Sequence, residues 1–205
     1  MNNIRFQKIV VALDMAGCPN RCKHCYLGHS QNGNLDNEDL IYVSKEFEPY
    51  SDIMEIYSWF REPDYKNNYK ELWELEKRLS KNTTPKRFEL LSFWRLNRDP
   101  EYVKWAYDIG VRVCQLTFFG FEEKTDYYVG RKGAFQELLR ATDILLENGI
   151  APRWQLFVNK DNIEEMLPLI DLSSKLNLKE RCKNIGAEFK LFIHQGSCEG
   201  ENKKL

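Results

Sequence analysis

The segment Gly17-Cys-Pro-Asn-Arg-Cys-Lys-His-Cys-Tyr-Leu-Gly28 places three cysteines, Cys18, Cys22 and Cys25, within eight residues. It follows directly on an apolar run, KIVVALDMA (8–16). Thiolates are soft ligands suited to iron–sulfur clusters, zinc and copper(I). A loop bounded by Gly17 and Gly28, with Pro19 inside it, can fold closely around a compact metal centre. Three thiolates on a four-iron cluster leave one iron with an open coordination position, which catalysis needs and a closed structural site lacks. The same thiols completed by His24 or His29 would instead make a structural zinc site.

Outward from this loop, short β-branched or aromatic runs alternate with longer amphipathic stretches. Strands are expected at 8–14, 52–59, 87–94, 112–119, 152–159 and 188–194, and helices at Asn37–Phe47, Tyr69–Ser80, Pro100–Ile109, Ala134–Asn148 and Ile163–Leu176. Asp99-Pro100 reads as an N-cap followed by proline at the first helical position, with Gly110 at the far end of that helix. Gly149 stands in the same place after the stripe Leu138, Leu139, Thr142, Leu145 and Leu146. Repeated strand–helix–strand units predict an α/β fold with a parallel sheet, in which functional groups collect at the C-terminal ends of the strands. The cysteine loop falls there, as do Glu62 after the second strand and Arg131 after the fourth.

The totals narrow the function. Of 205 residues 42% are hydrophobic, and 30 basic side chains stand against 31 acidic ones, for a net charge of −1. That balance argues against a broad nucleic-acid-binding surface. No apolar run reaches the length of a membrane span, and the N-terminus lacks the pattern of a secretory signal. Six unevenly placed cysteines (18, 22, 25, 114, 182, 198) are unlike a disulfide framework and fit a reducing cytoplasm.

The three-cysteine loop resembles that of the radical S-adenosylmethionine (radical SAM) enzymes, and later segments match that superfamily in order. The resemblance implies a partial (β/α)6 parallel barrel, a [4Fe–4S] cluster on Cys18, Cys22 and Cys25, and S-adenosylmethionine as the ligand of the open iron. It further implies reductive cleavage of the sulfonium to a 5′-deoxyadenosyl radical that abstracts hydrogen from substrate. SWFREPD (58–64) lies where the family commonly has Gly-Gly-Glu-Pro, so Glu62 resembles the acid that receives the methionine ammonium, with Phe60 and Arg61 replacing the two glycines. Thr117 falls where the peptide- and protein-modifying branch often has a serine near the cofactor. Arg131 falls near an arginine that contacts the methionine carboxylate. His24 takes the usual aromatic position beside the adenine, and Asn159 lies near the site. By the same analogy a flavodoxin or ferredoxin supplies the electron, and the substrate is a peptide or a small metabolite.

The resemblance makes residues 1–195 a radical SAM core and 196–205 a short C-terminal tail, where the branch often continues into a cysteine-rich extension. The chain is on this reading either a minimal member or a truncated one. Cys114 alternates within a strand and is expected to be a buried apolar side chain, while Cys182 and Cys198 are not expected to hold a further cluster. The competing readings are a non-catalytic iron–sulfur protein and a zinc-binding scaffold.

Overall fold

The computed structural model describes residues 4–25, 31–33, 35–87 and 89–195. The tail 196–205 with Cys198, and His29 with Gly28, lie outside the described residues. The chain forms two compact units, Met1–Pro19 with Gln31–Arg87, and Asn20–Ser30 with Phe88–Leu205.

In the first unit β1 (Phe6–Ala12) pairs in parallel with β2 (Ser51–Tyr57), Phe6 opposite Ser51 and Ala12 opposite Tyr57. The crossover between them carries α1 (Asn37–Phe47), and α2 (Tyr69–Leu79) follows β2. Asp36 caps α1 with a capping box, accepting from the Glu38 and Asp39 amides while the Asp39 side chain accepts from Asp36 N. Val11, Met15, Leu40, Met54, Ile56, Leu72 and Leu75 form the core between strands and helices.

In the second unit β3 (Val113–Phe118), β4 (Ala151–Val158) and β5 (Lys190–Gln195) make a parallel sheet in that order. Also present are α3 (Phe93–Leu96), α4 (Pro100–Asp108), α5 (Glu122–Val129), α6 (Ala134–Glu147), α7 (Met166–Lys175) and α8 (Leu178–Asn184). Strict alternation gives this sheet two faces. Cys114, Leu116, Phe118, Trp154 and Leu156 are buried, and on this side Trp154 Nε1 donates to Thr142 Oγ1 of α6 at 3.1 Å. Cys114 is thus a core residue, as the alternation predicts, and Cys182 on α8 is also fully buried.

One expected strand is absent among the described residues. The segment 87–94 makes a single rung, Gln115 N to Glu89 O at 2.6 Å, and then turns into α3. Ser92 accepts from Arg95 N at 3.1 Å and so starts a helix where its aromatic neighbours suggested a strand. The other five strands and all five expected helices form within a few residues of their predicted limits, although Ile163–Glu165 is a 3₁₀ turn ahead of α7.

Candidate functional site

The first half of the cysteine loop belongs to the first unit. Beyond β1 the chain stays beside β2, with Leu13 N donating to Tyr57 O at 3.0 Å and Met15 N to Ser58 O at 3.2 Å. Asp14 then organises the turn: Oδ1 accepts from Gly17 N at 3.1 Å, and Oδ2 pairs with Arg61 Nε at 2.5 Å. Arg61 is therefore a brace on the strand end that precedes the cysteines. Cys18 N donates to Asn32 Oδ1 at 3.0 Å, and Asn32 Nδ2 donates back to Cys18 O at 3.3 Å. Gly17 has φ +73°, and a Cβ there would stand 2.7 Å from Asn32 Cγ, so glycine is required for the clamp to close.

Glu62 lies half-buried in a bend after β2. Both flanks of that bend are tied to buried charge. Glu76 Oε1 accepts from Ser58 N at 2.8 Å and from Ser58 Oγ at 2.5 Å. Arg87 pairs with Asp64 at 2.7 Å and approaches Glu76 at 4.0 Å, over the Trp73 ring. Burial lifts the Glu76 carboxyl above its ordinary range, more than the attraction of Arg87 lowers it. On the first unit's sheet, Lys8, Glu55 and Tyr57 form a further polar chain, with Lys8 Nζ 2.5 Å and Tyr57 Oη 2.6 Å from Glu55.

The second half of the loop, Asn20 to Cys25, belongs to the second unit and lies along the end of α5. Arg21 N donates to Val129 O at 3.0 Å and Lys23 N to Tyr128 O at 2.7 Å. Cys22 packs against the cluster of Phe119, Tyr128, Val129, Ala134 and Phe157, and Cys25 N closes a turn onto Cys22 O at 3.0 Å. Arg131 Nε donates to Asn20 Oδ1 at 2.9 Å while Nη2 pairs with Glu137 at 2.7 Å. Glu137 also binds Arg98 at 2.6 Å. Burial pushes its carboxyl up, but the Arg98 and Arg131 hydrogen bonds outweigh that and hold it below the usual value.

His24 lies between Phe119 and Phe157, ring centres at 4.7 and 5.0 Å. Burial, with a contribution from His194, lowers its pKa to about 4, so the ring is neutral at neutral pH. Its Nδ1 is buried and makes no hydrogen bond among the described residues. Thr117 projects from β3 and donates to Gln155 Oε1 at 3.1 Å. Asn159 shapes the turn after β4, but the residue that ties this end of the sheet together is Asn162, fully buried, whose Nδ2 donates to Phe119 O at 2.7 Å and Phe157 O at 2.8 Å.

The sequence matches the Radical SAM superfamily over residues 13–172, and the chain belongs to that superfamily. Native anSMEcpe with bound AdoMet has 13% identity and a TM-score of 0.63 over 92% of this chain and 51% of its own. Streptococcus suis SuiB bound to S-adenosylmethionine has 13% identity and a TM-score of 0.51 over 94% and 42%. SuiB bound to precursor peptide SuiA has 13% identity and a TM-score of 0.51 over 86% and 38%. The chain thus spans half or less, to within a percent, of the length of these structures, and no curated protein matches it. Its α/β fold class is that of the radical SAM partial parallel barrel.

The cofactors of this superfamily are a [4Fe–4S] cluster and S-adenosylmethionine. Cys18, Cys22 and Cys25 are half-buried thiols on one loop inside the matched region, a donor set whose softness fits an iron–sulfur cluster. Among the described residues no three His, Cys, Asp or Glu side chains are gathered as a single-ion site, so the fit rests on donor chemistry and spacing. Sequence reading overlooked Asp14, Asn20, Asn32 and Glu137; the signal was an asparagine on each side of the second and third cysteines.

Proposed function

We propose that this chain is the core of a radical SAM enzyme that modifies a peptide, with residues 1–195 as its catalytic domain. The match over residues 13–172, which includes the cysteine loop, carries the reading. Cys18, Cys22 and Cys25 would hold the cluster, and Asn32 and Arg131 would keep the two halves of the loop in place. When bound, the cluster and S-adenosylmethionine supply the electron transfer and the hydrogen-abstracting chemistry.

The protein's own groups bind and orient. Glu62 offers a half-buried carboxylate to the methionine ammonium. Arg131 is committed through Nε and Nη2, and its Nη1, which makes no hydrogen bond among the described residues, is assigned to the methionine carboxylate. Neutral, flat His24 is assigned to the adenine, and Thr117 to the cofactor's neighbourhood. A flavodoxin or ferredoxin type of donor provides the electron in a reducing cytoplasm. Solved relatives bound to a precursor peptide and to the Cp18Cys peptide support a peptide as substrate.

The test is anaerobic reconstitution with iron and sulfide, reduction, and measurement of 5′-deoxyadenosine. A fully loaded protein that releases none defeats the catalytic reading in favour of a non-catalytic iron–sulfur protein. Stoichiometric zinc without iron or sulfide in anaerobically purified protein defeats the cluster itself.

A further inference from the structure

The face of the second sheet opposite α6 carries a row of polar side chains set by strand register, Gln115 opposite Arg153 and Thr117 opposite Gln155. Arg153 is held by an ion pair to Glu89 and lies 5.2 Å over the Phe192 ring. Its Nη2 donates to Gln115 Oε1 at 2.7 Å. Gln115 Nε2 in turn donates to Gln155 Oε1, which also accepts from Thr117 Oγ1 at 3.1 Å.

A guanidinium has no acceptor, so this chain of amides has only one polarity. Arg153 must donate, so Gln115 must turn its oxygen to Arg153 and its nitrogen to Gln155. Gln155 must then turn its oxygen inward, which leaves its NH2 group pointing away from the row. The usual ambiguity of an amide's orientation is removed by the neighbour that cannot accept. Two residues further along β4, on the same face, the Phe157 ring packs at a tilt against His24 of the cysteine loop, ring centres 5.0 Å apart. The oriented NH2 group therefore lies on the face that leads to that loop.

We infer that Gln155 is a substrate-binding residue that presents a fixed pair of hydrogen-bond donors to an acceptor on the substrate, a peptide carbonyl in the reading given above, on which this rests. Gln115 and Arg153 are positioning residues that set its polarity. A site built to donate rejects a ligand that lacks the acceptor, because its own polar group is left unpaired.

Two substitutions separate this from a packing role. Gln155→Glu keeps both inward contacts and removes only the outward donors. Gln115→Glu leaves Gln155 intact but can no longer donate to it, so the Gln155 amide turns over and shows its oxygen instead. The reconstituted full chain is given S-adenosylmethionine and a pool of blocked hexapeptides, and peptide-stimulated 5′-deoxyadenosine release is read beside the dissociation constant for S-adenosylmethionine. Both variants should lose stimulation by about tenfold, the size of one lost hydrogen bond, with cofactor affinity and the melting temperature at wild-type values. Stimulation that survives in Gln155→Glu overturns the inference, as does a matching loss of cofactor affinity, which would assign the donors to S-adenosylmethionine. A wild-type protein that cleaves the cofactor but ignores the peptide pool removes the peptide reading, and this inference with it.

Discussion

The carboxamide of Asn32 pairs with both main-chain groups of Cys18, accepting from its N–H at 3.0 Å and donating to its carbonyl at 3.3 Å. A side chain that mimics a strand partner in this way fixes the peptide on both sides of a proposed ligand. Each such bond contributes about 0.5–1.5 kcal/mol net. Asn32→Leu should lower the iron retained per chain after reconstitution and desalting, and Asn32→Asp, which keeps the acceptor alone, should fall between. Equal iron in the leucine variant and the wild type would show that the clamp does not set the loop.

Gly130 makes the corresponding approach in the second unit. It has φ +71°, and a Cβ would sit 2.5 Å from Arg21 O, a backbone atom that cannot move aside alone. Gly133 has φ +81° with nothing within 4 Å of the same built atom. Both alanine variants pay the left-handed strain, about 1–2 kcal/mol, but only Gly130→Ala also pushes the cysteine loop off α5. Urea unfolding should therefore rank Gly130→Ala clearly below Gly133→Ala, and the difference measures the contact. Equal losses would reduce Gly130 to a helix cap.

The strand–helix alternation and the cysteine loop were legible because each is local: a period, a cap, a spacing. Pro100 after Asp99 and Gly149 after its helix mark ends that the structure keeps within a residue. What the sequence did not show is partnership at long range. Nothing in the spacing joins Arg131 to Asn20, or Asp14 to Arg61, since those pairs depend on where two loops meet. The segment 87–94 misled because Phe93 and Trp94 favour a strand by type, while the Ser92 cap and the buried Leu96 win the local contest for a helix. α5 was missed since it starts after Phe121 without a side-chain cap and runs only eight residues before the left-handed Gly130 closes it.

Arg87 is the residue on which the Glu62 bend leans most. Its side chain is 2% exposed, against 1% for Asp64 and 0% for Glu76. Removing one partner of a buried pair typically costs about 3–5 kcal/mol, since the other charge stays desolvated. Arg87→Met should lose that much in denaturant unfolding, and Arg87→Met with Asp64→Asn should lose less than the single variant. The Glu76 carboxyl already titrates above its unfolded value, so its contribution to stability is full in acid and fades as pH rises through the raised folded value. Without Arg87 that window should extend to higher pH. A pH-independent difference between wild type and variant would contradict the coupling.

Glu137 should respond to acid with the opposite sign. Its carboxyl is held below the unfolded value by Arg98 and Arg131 against the effect of burial. The folded state therefore binds its proton later than the unfolded chain does. The stability it adds is present above the unfolded pKa and is lost as pH falls through the folded one. Protonation releases Arg131, and with it the Asn20 end of the cysteine loop, whose next anchors are the Arg21 and Lys23 amides on α5. Hydrogen exchange at those two amides, corrected for the intrinsic rate, should lose protection as pH drops below the usual carboxylate range. Glu137→Gln should show the weakened protection at neutral pH, by about tenfold for a charge-assisted bond made neutral. The α6 amides, which owe their protection to the helix itself, should keep theirs under the same conditions. Loss of protection across α6 and the loop together would mean that Glu137 holds up the helix and not the latch.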